Sequence, residues 1–102
     1  MNVNLENLFI SGHAVRQFQL RIKRLSFEEA QQIIAVGILQ AEDILTLPDG
    51  KTWRVRGRAP YPFEFRVFIV FDERFDEFAV KTLVRGDSTK TRRLRRKLAK
   101  QI

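Results

Sequence analysis

Apolar residues recur at intervals of three and four through the first forty positions, and at intervals of two from position 43 onward. The first regime predicts helices and the second strands. Leu8, Phe9 and Ile10 form a short strand or the lead-in to a helix. Ser11 offers an N-cap for a helix over roughly residues 12–24. Val15, Phe18, Ile22 and Leu25 share one face of it, and His13, Arg16, Gln17 and Arg24 the opposite one. Leu20, among these polar residues, breaks the clean split. Ser26-Phe27-Glu28-Glu29 fits a capping box that starts a second helix. Phe27, Ala30, Ile33, Ile34, Ile38 and Ala41 give it a broad apolar stripe, and it should end near Gln40. Gly37 weakens this helix by about 1 kcal/mol relative to Ala unless a close contact requires it. So short a connection between two helices implies a helical hairpin.

The later pattern reads as strands from Asp43 to Leu47, Thr52 to Arg56, Phe63 to Phe71 and Phe78 to Arg85. Pro48-Asp49-Gly50 is a turn: Pro presets φ and Gly accepts a positive one. Residues 57–62 hold two prolines, which a central ladder excludes. In the third strand Phe63, Phe65, Val67, Ile69 and Phe71 share a face, while the other begins with Glu64 and Arg66 and finishes with Phe68 and Val70. In the last, Phe78, Val80, Thr82 and Val84 stand opposite Ala79, Lys81, Leu83 and Arg85. Gly86-Asp87-Ser88 breaks the strand, and Leu94, Leu98 and Ile102 mark a thin apolar stripe on a final helix. The expected architecture is α+β: an N-terminal helical hairpin packed on a three- or four-stranded antiparallel sheet, followed by a basic C-terminal helix. Residues 1–87 form the domain and residues 88–102 the basic helix or tail.

Charge changes the picture more than composition does. Residues 1–87 hold 12 Lys+Arg and 12 Asp+Glu, which cancel, while residues 88–102 hold seven Lys+Arg and no acid, which is the whole net charge of +7. A neutral body with a dense cationic end suggests a polyanionic partner, because Lys and Arg near a phosphate backbone release condensed counterions. Nucleic acid is favoured over a plain solubilising tail, and acidic membrane lipid or an acidic protein would also satisfy the charge. The 102 residues make one domain, and the absence of cysteine excludes disulfides and thiolate metal sites. The N-terminus lacks the pattern of a signal peptide and no run is long enough for a membrane span. A cytoplasmic protein with no membrane partner is expected.

Three groups of residues could carry function. His13 is the single histidine. It lies opposite the apolar stripe with Arg16 one turn away, which suits a general acid or base near phosphate. Arg54, Arg56 and Arg66, with Lys81 and Arg85 beyond, fall on a predicted polar sheet face. They form either cross-strand salt bridges or a cationic platform for RNA. Tyr61, in the loop, could stack on a base. The tail supplies Lys90, Arg92, Arg93, Arg95, Arg96 and Lys97. There is no paired acidic motif for a metal, no phosphate-binding glycine loop and no nucleophile elbow, so no metal or cofactor is expected.

Ile10-Ser11-Gly12-His13-Ala14-Val15-Arg16-Gln17-Phe18-Gln19-Leu20-Arg21, followed by Leu25-Ser26-Phe27-Glu28-Glu29-Ala30, resembles the His-Ala-x-x-Arg…Arg…Ser-x-Glu-Glu opening of small prokaryotic and phage domains. These are often compared with the RelE, ParE and BrnT toxins. Thr89-Lys90-Thr91-Arg92-Arg93-Leu94-Arg95-Arg96 is similar to the basic C-terminal stretch of BrnT-like toxins. The chain's one tyrosine is Tyr61, whereas the RelE pattern has one near the C-terminus. The resemblance implies a toxin-like, RNA-binding protein with an mRNA-cleaving, metal-free ribonuclease activity, or a relative that kept the fold and lost the reaction. In the cleaving form the RNA 2′-hydroxyl attacks, His13 moves the proton, and Arg16 and Arg66 stabilise the phosphorane. The alternative is a non-enzymatic phage or prokaryotic protein that inhibits a host nucleic-acid enzyme through its basic surface. An acidic antitoxin or a host protein is the implied protein partner.

Overall fold

Serine side chains start both helices. The computed structural model describes residues 1–59 and 63–86. In chain order these form β1 (Leu8–Ile10), α1 (Gly12–Arg21), α2 (Phe27–Leu39), β2 (Asp43–Thr46), β3 (Thr52–Gly57), β4 (Phe65–Asp72) and β5 (Glu77–Arg85). Ser11 Oγ accepts from the Ala14 amide at 3.1 Å, and Ser26 Oγ accepts from the Glu29 amide at 3.2 Å. Each bond satisfies an amide that the first turn leaves without a partner. The capping box closes differently from the expected form: Glu29 Oε1 accepts from the Ser26 hydroxyl rather than from its amide. α1 is shorter than the expected 12–24. The Ile22 and Lys23 amides both donate to Phe18 O, at 2.9 and 3.1 Å, and this tight closure ends the helix.

The sheet has five strands in the order β1-β5-β4-β3-β2. The expectation of three or four antiparallel strands is therefore corrected. The hairpins β2–β3, β3–β4 and β4–β5 are antiparallel, but Leu8, Phe9 and Ile10 pair in parallel with Phe78, Ala79 and Val80. A three-residue strand carries too little periodicity to announce a pairing about seventy positions away.

A second correction concerns β5. Phe68 pairs with Thr82 but Ile69 with Val80, so Lys81 is an extra residue in β5. A bulge of this kind shifts side-chain phase by one. Leu83, opposite Val67, consequently joins Phe78 and Val80 in the core, while Thr82 and Val84 move to the other face with Ala79. Simple alternation put Leu83 on the outside.

Both helices cover one face of the sheet. Val15 and Phe18 of α1 and Ile34 and Ile38 of α2 are fully buried against Val55, Phe65, Val67, Ile69, Val80 and Leu83. Phe18 meets Phe65 edge to face, with centroids 6.1 Å apart. Gly37 is where α2 comes closest: a Cβ there would stand 2.7 Å from Phe65 Cζ, so close packing accounts for this glycine. The predicted C-terminal helix lies outside the described residues. No helix among the described residues is long and apolar enough to cross a membrane.

Candidate nucleic-acid interface

The face of the sheet opposite the helices is built from alternate residues of β3, β4 and β5. One cross-strand row runs Asp43, Arg56, Arg66, Val84, and the next runs Leu45, Arg54, Phe68, Thr82. Arg56 and Arg66 stand directly opposite each other. Like charges in that position repel unless something takes up the field. Arg56 Nη2 donates to Gly86 O at 3.0 Å, and Glu64 and Arg66 are both engaged. Arg54 is half-buried and, among the described residues, has neither an ion pair nor a hydrogen bond through its side chain.

Two further arginines reach the same end of the sheet from the other layer. α1 runs along the edge of β5 beyond the end of β1. Gln17 Oε1 accepts from the Leu83 amide at 2.7 Å, and Arg21 Nη1 donates to Leu83 O at 3.3 Å. Arg85 Nε in turn donates to Arg21 O at 2.9 Å, where the last carbonyls of α1 lack helical partners. Register carries these to the strand ends, because Arg85 pairs with Phe65 and Val84 with Arg66. Arg21, Arg56, Arg66 and Arg85 therefore gather at one end of the molecule. Gly86, whose amide donates to Glu64 O at 3.1 Å, lies there as well. The basic stretch 88–102 is consequently joined to the body at its cationic end.

The opposite end is acidic. The β4–β5 hairpin carries Asp72, Glu73, Asp76 and Glu77 against Arg74 alone. Hydrogen bonds from the Arg74 side chain hold the Asp72 carboxyl below its ordinary range and raise Arg74. In the β2–β3 turn the Thr52 hydroxyl, then the amides of Lys51 and Thr52, lower the carboxyl of Asp49. A groove of about 610 Å³ lies at this end over Trp53, Val70 and Phe71, away from the arginine cluster.

The expected site residues divide accordingly. Arg54, Arg56 and Arg66 come together on one face. Arg85, expected on that face too, pairs with the buried Phe65 and stands on the helix side at the same end, where it donates to Arg21 O. Lys81 stands apart: the bulge exposes it, and it lines the acidic-end groove with Asp72. His13 and Arg16 are exposed on the outer side of α1. Arg66 lies across the core from them, since Phe18 and Phe65 pack between helix and sheet. The expected trio of His13, Arg16 and Arg66 therefore does not converge on one reacting phosphate. Tyr61, Lys90, Arg92, Arg93, Arg95, Arg96 and Lys97 lie outside the described residues. Arg21 and Phe68 also belong to this region. Arg21 joins the cluster through a long-range backbone contact that no local pattern signals. Phe68, an aromatic on the arginine face, was visible as an apolar interruption of the polar side of β4.

Among the described residues no group of His, Asp or Glu is arranged to hold a metal. Comparison with family models, with curated proteins and with solved structures found no match.

Proposed function

We propose that this chain binds RNA through the arginine-bearing sheet face opposite α1 and α2, together with the basic C-terminal stretch. The observation that carries the reading is the gathering of Arg21, Arg56, Arg66 and Arg85 at the end from which seven further cations continue. Such a field concentrates a polyanion and releases its counterions without requiring a particular sequence. The acidic hairpin at the far end orients the molecule toward the polyanion. On this reading the toxin-like resemblance of the opening and tail describes a protein that works on nucleic acid in the cytoplasm.

The separation of His13 from Arg66 favours binding over cleavage. A ribonuclease form of the protein would rely on His13 and Arg16 alone, on the α1 side, with the 2′-hydroxyl as attacking group. The non-enzymatic form, a protein that enters the nucleic-acid channel of a host enzyme, needs only the cationic end.

The test is salt-dependent binding of the full chain to a single-stranded RNA, alongside a metal-free incubation with long RNA. Replacing Arg92, Arg93, Arg95 and Arg96 with Gln should weaken binding and reduce the slope of log K against log salt by several units. An unchanged slope would remove the basic stretch from the reading. Absence of RNA binding by the unaltered protein would remove the reading itself.

A further inference from the structure

The arginine face holds an aromatic ring in its centre. Phe68 lies on β4 with its backbone paired to β3 and β5, and its side chain stands in the row Leu45, Arg54, Phe68, Thr82. It is only partly buried, although it belongs to a central strand. Its neighbours explain why the ring keeps an open side. The bulge at Lys81 brings the small side chain of Thr82 opposite Phe68 in place of the large residue that unbroken alternation would supply. On the other flank stands Arg54, half-buried and without an ion pair among the described residues. The next row holds Arg56 and Arg66.

We infer that this face takes single-stranded RNA in preference to a duplex, with a base stacked on Phe68 and its phosphates beside Arg54 and Arg56. The inference rests on the RNA-binding reading above and names the form of RNA that the same site takes. A sheet surface is flat and a ring on it can meet a base only when that base is unstacked. In an A-form duplex the base faces are covered by their neighbours, whereas a single strand can splay them outward. Cations one row away then follow the backbone, the combination that sequence-tolerant single-strand sites use. A site for duplex RNA would need its cations alone and would gain nothing from the ring.

The experiment compares a fluorescein-labelled oligouridylate with the oligouridylate–oligoadenylate duplex of equal length, bound to the full chain at one fixed salt concentration. The unaltered protein should bind the single strand at least about tenfold more tightly. Phe68→Leu keeps an apolar side chain but has no π face. It should lose about 5- to 150-fold on the single strand, the range measured for loss of one stacked base. Duplex binding should stay within twofold. Phe68→Trp restores a ring and should return single-strand binding to the original level, which separates stacking from mere packing. Equal binding of both RNAs, or a Phe68→Leu variant that is folded and binds normally, would overturn the inference while leaving the RNA-binding reading standing. Should Phe68→Leu fail to fold, a Phe68→Trp protein without single-strand preference overturns it equally. Failure of the unaltered protein to bind either RNA would overturn both, and would turn attention to a protein partner for this face.

Discussion

Gln17 and Leu83, 66 positions apart, are joined by a hydrogen bond of 2.7 Å in which the Gln17 side chain accepts from the Leu83 amide. With Arg21 donating to the carbonyl of the same residue, α1 supplies by side chains what a neighbouring strand would supply by backbone. β1 protects the edge of β5 only as far as Val80, so the helix completes the job where the strand stops. Gln17→Leu keeps the size of the side chain and removes the acceptor. Leu83 is buried, and its amide would then lack a partner, at a cost of about 1–3 kcal/mol. Urea unfolding measures the loss, and hydrogen exchange at the Leu83 amide should accelerate. Gln17→Glu, which retains an acceptor, should cost less.

Glycine substitutions should divide by what a Cβ would meet. At Gly57 it would run into the ring of Phe65, which is already held between Phe18 and Gly37. Gly57→Ala should destabilise the protein by about 1–3 kcal/mol, the range for overpacking a core. Gly12 opens α1 and a Cβ there has no atom within 4 Å. Gly12→Ala should stabilise by about 0.4–1 kcal/mol, because it reduces the freedom of the unfolded chain. Thermal midpoints moving in opposite directions would check both.

Much of this architecture was written in short-range pattern. Ser11 and Ser26 announced both helix starts, the Pro48-Asp49-Gly50 turn separated β2 from β3, and the alternation in β4 marked Phe65, Val67 and Ile69 as core. These signals are local, because caps, turns and two-residue periodicity act within a few positions. Long-range features did not show. β1 earns its place by pairing with β5, and the phase of Leu83 depends on a bulge. Arg21 reaches the cationic end only because α1 lies along β5. In the candidate site, Arg54, Arg56 and Arg66 were legible because all three occupy one phase of two adjacent strands. The grouping of His13 with Arg66 failed for the complementary reason: helix periodicity tells which residues face away from a core, but not on which side of the sheet the helix will lie.

Asp49 gives the fold a dependence on acid. The Thr52 hydroxyl bond, at 2.6 Å, and the amides of Lys51 and Thr52 favour its charged form, so its folded pKa lies below the ordinary value of 3.8. A group lowered in this way contributes stability above its unfolded pKa and loses it as pH falls through the folded value. Asp49→Asn retains an acceptor but cannot ionise. The variant should melt below the unaltered protein at neutral pH, and the gap should close as pH falls below about 3.8. A gap that persists into acid would mean that the turn is held by hydrogen bonding alone, without help from the charge.

The last prediction separates the two layers of the molecule. His13 is exposed on α1, and Arg54 is half-buried on the opposite face of the sheet. The His13 side chain projects from the outer side of α1, away from the core, so His13→Ala should leave stability within about 0.5 kcal/mol. If RNA lies on the arginine face, the same change should leave RNA affinity within twofold. Arg54→Gln should instead weaken binding several-fold and lower the salt slope by about one, the signature of one lost phosphate contact. Its effect on folding should be small, since no ion pair or side-chain hydrogen bond is broken among the described residues. The opposite result, with His13→Ala impaired and Arg54→Gln unchanged, would move the interface to α1. In a metal-free incubation with long RNA, loss of cutting in His13→Ala with binding intact would assign a reaction to the α1 side and leave the arginine face to hold the strand. Fluorescence anisotropy across a salt series, with thermal melts of each variant, distinguishes these outcomes.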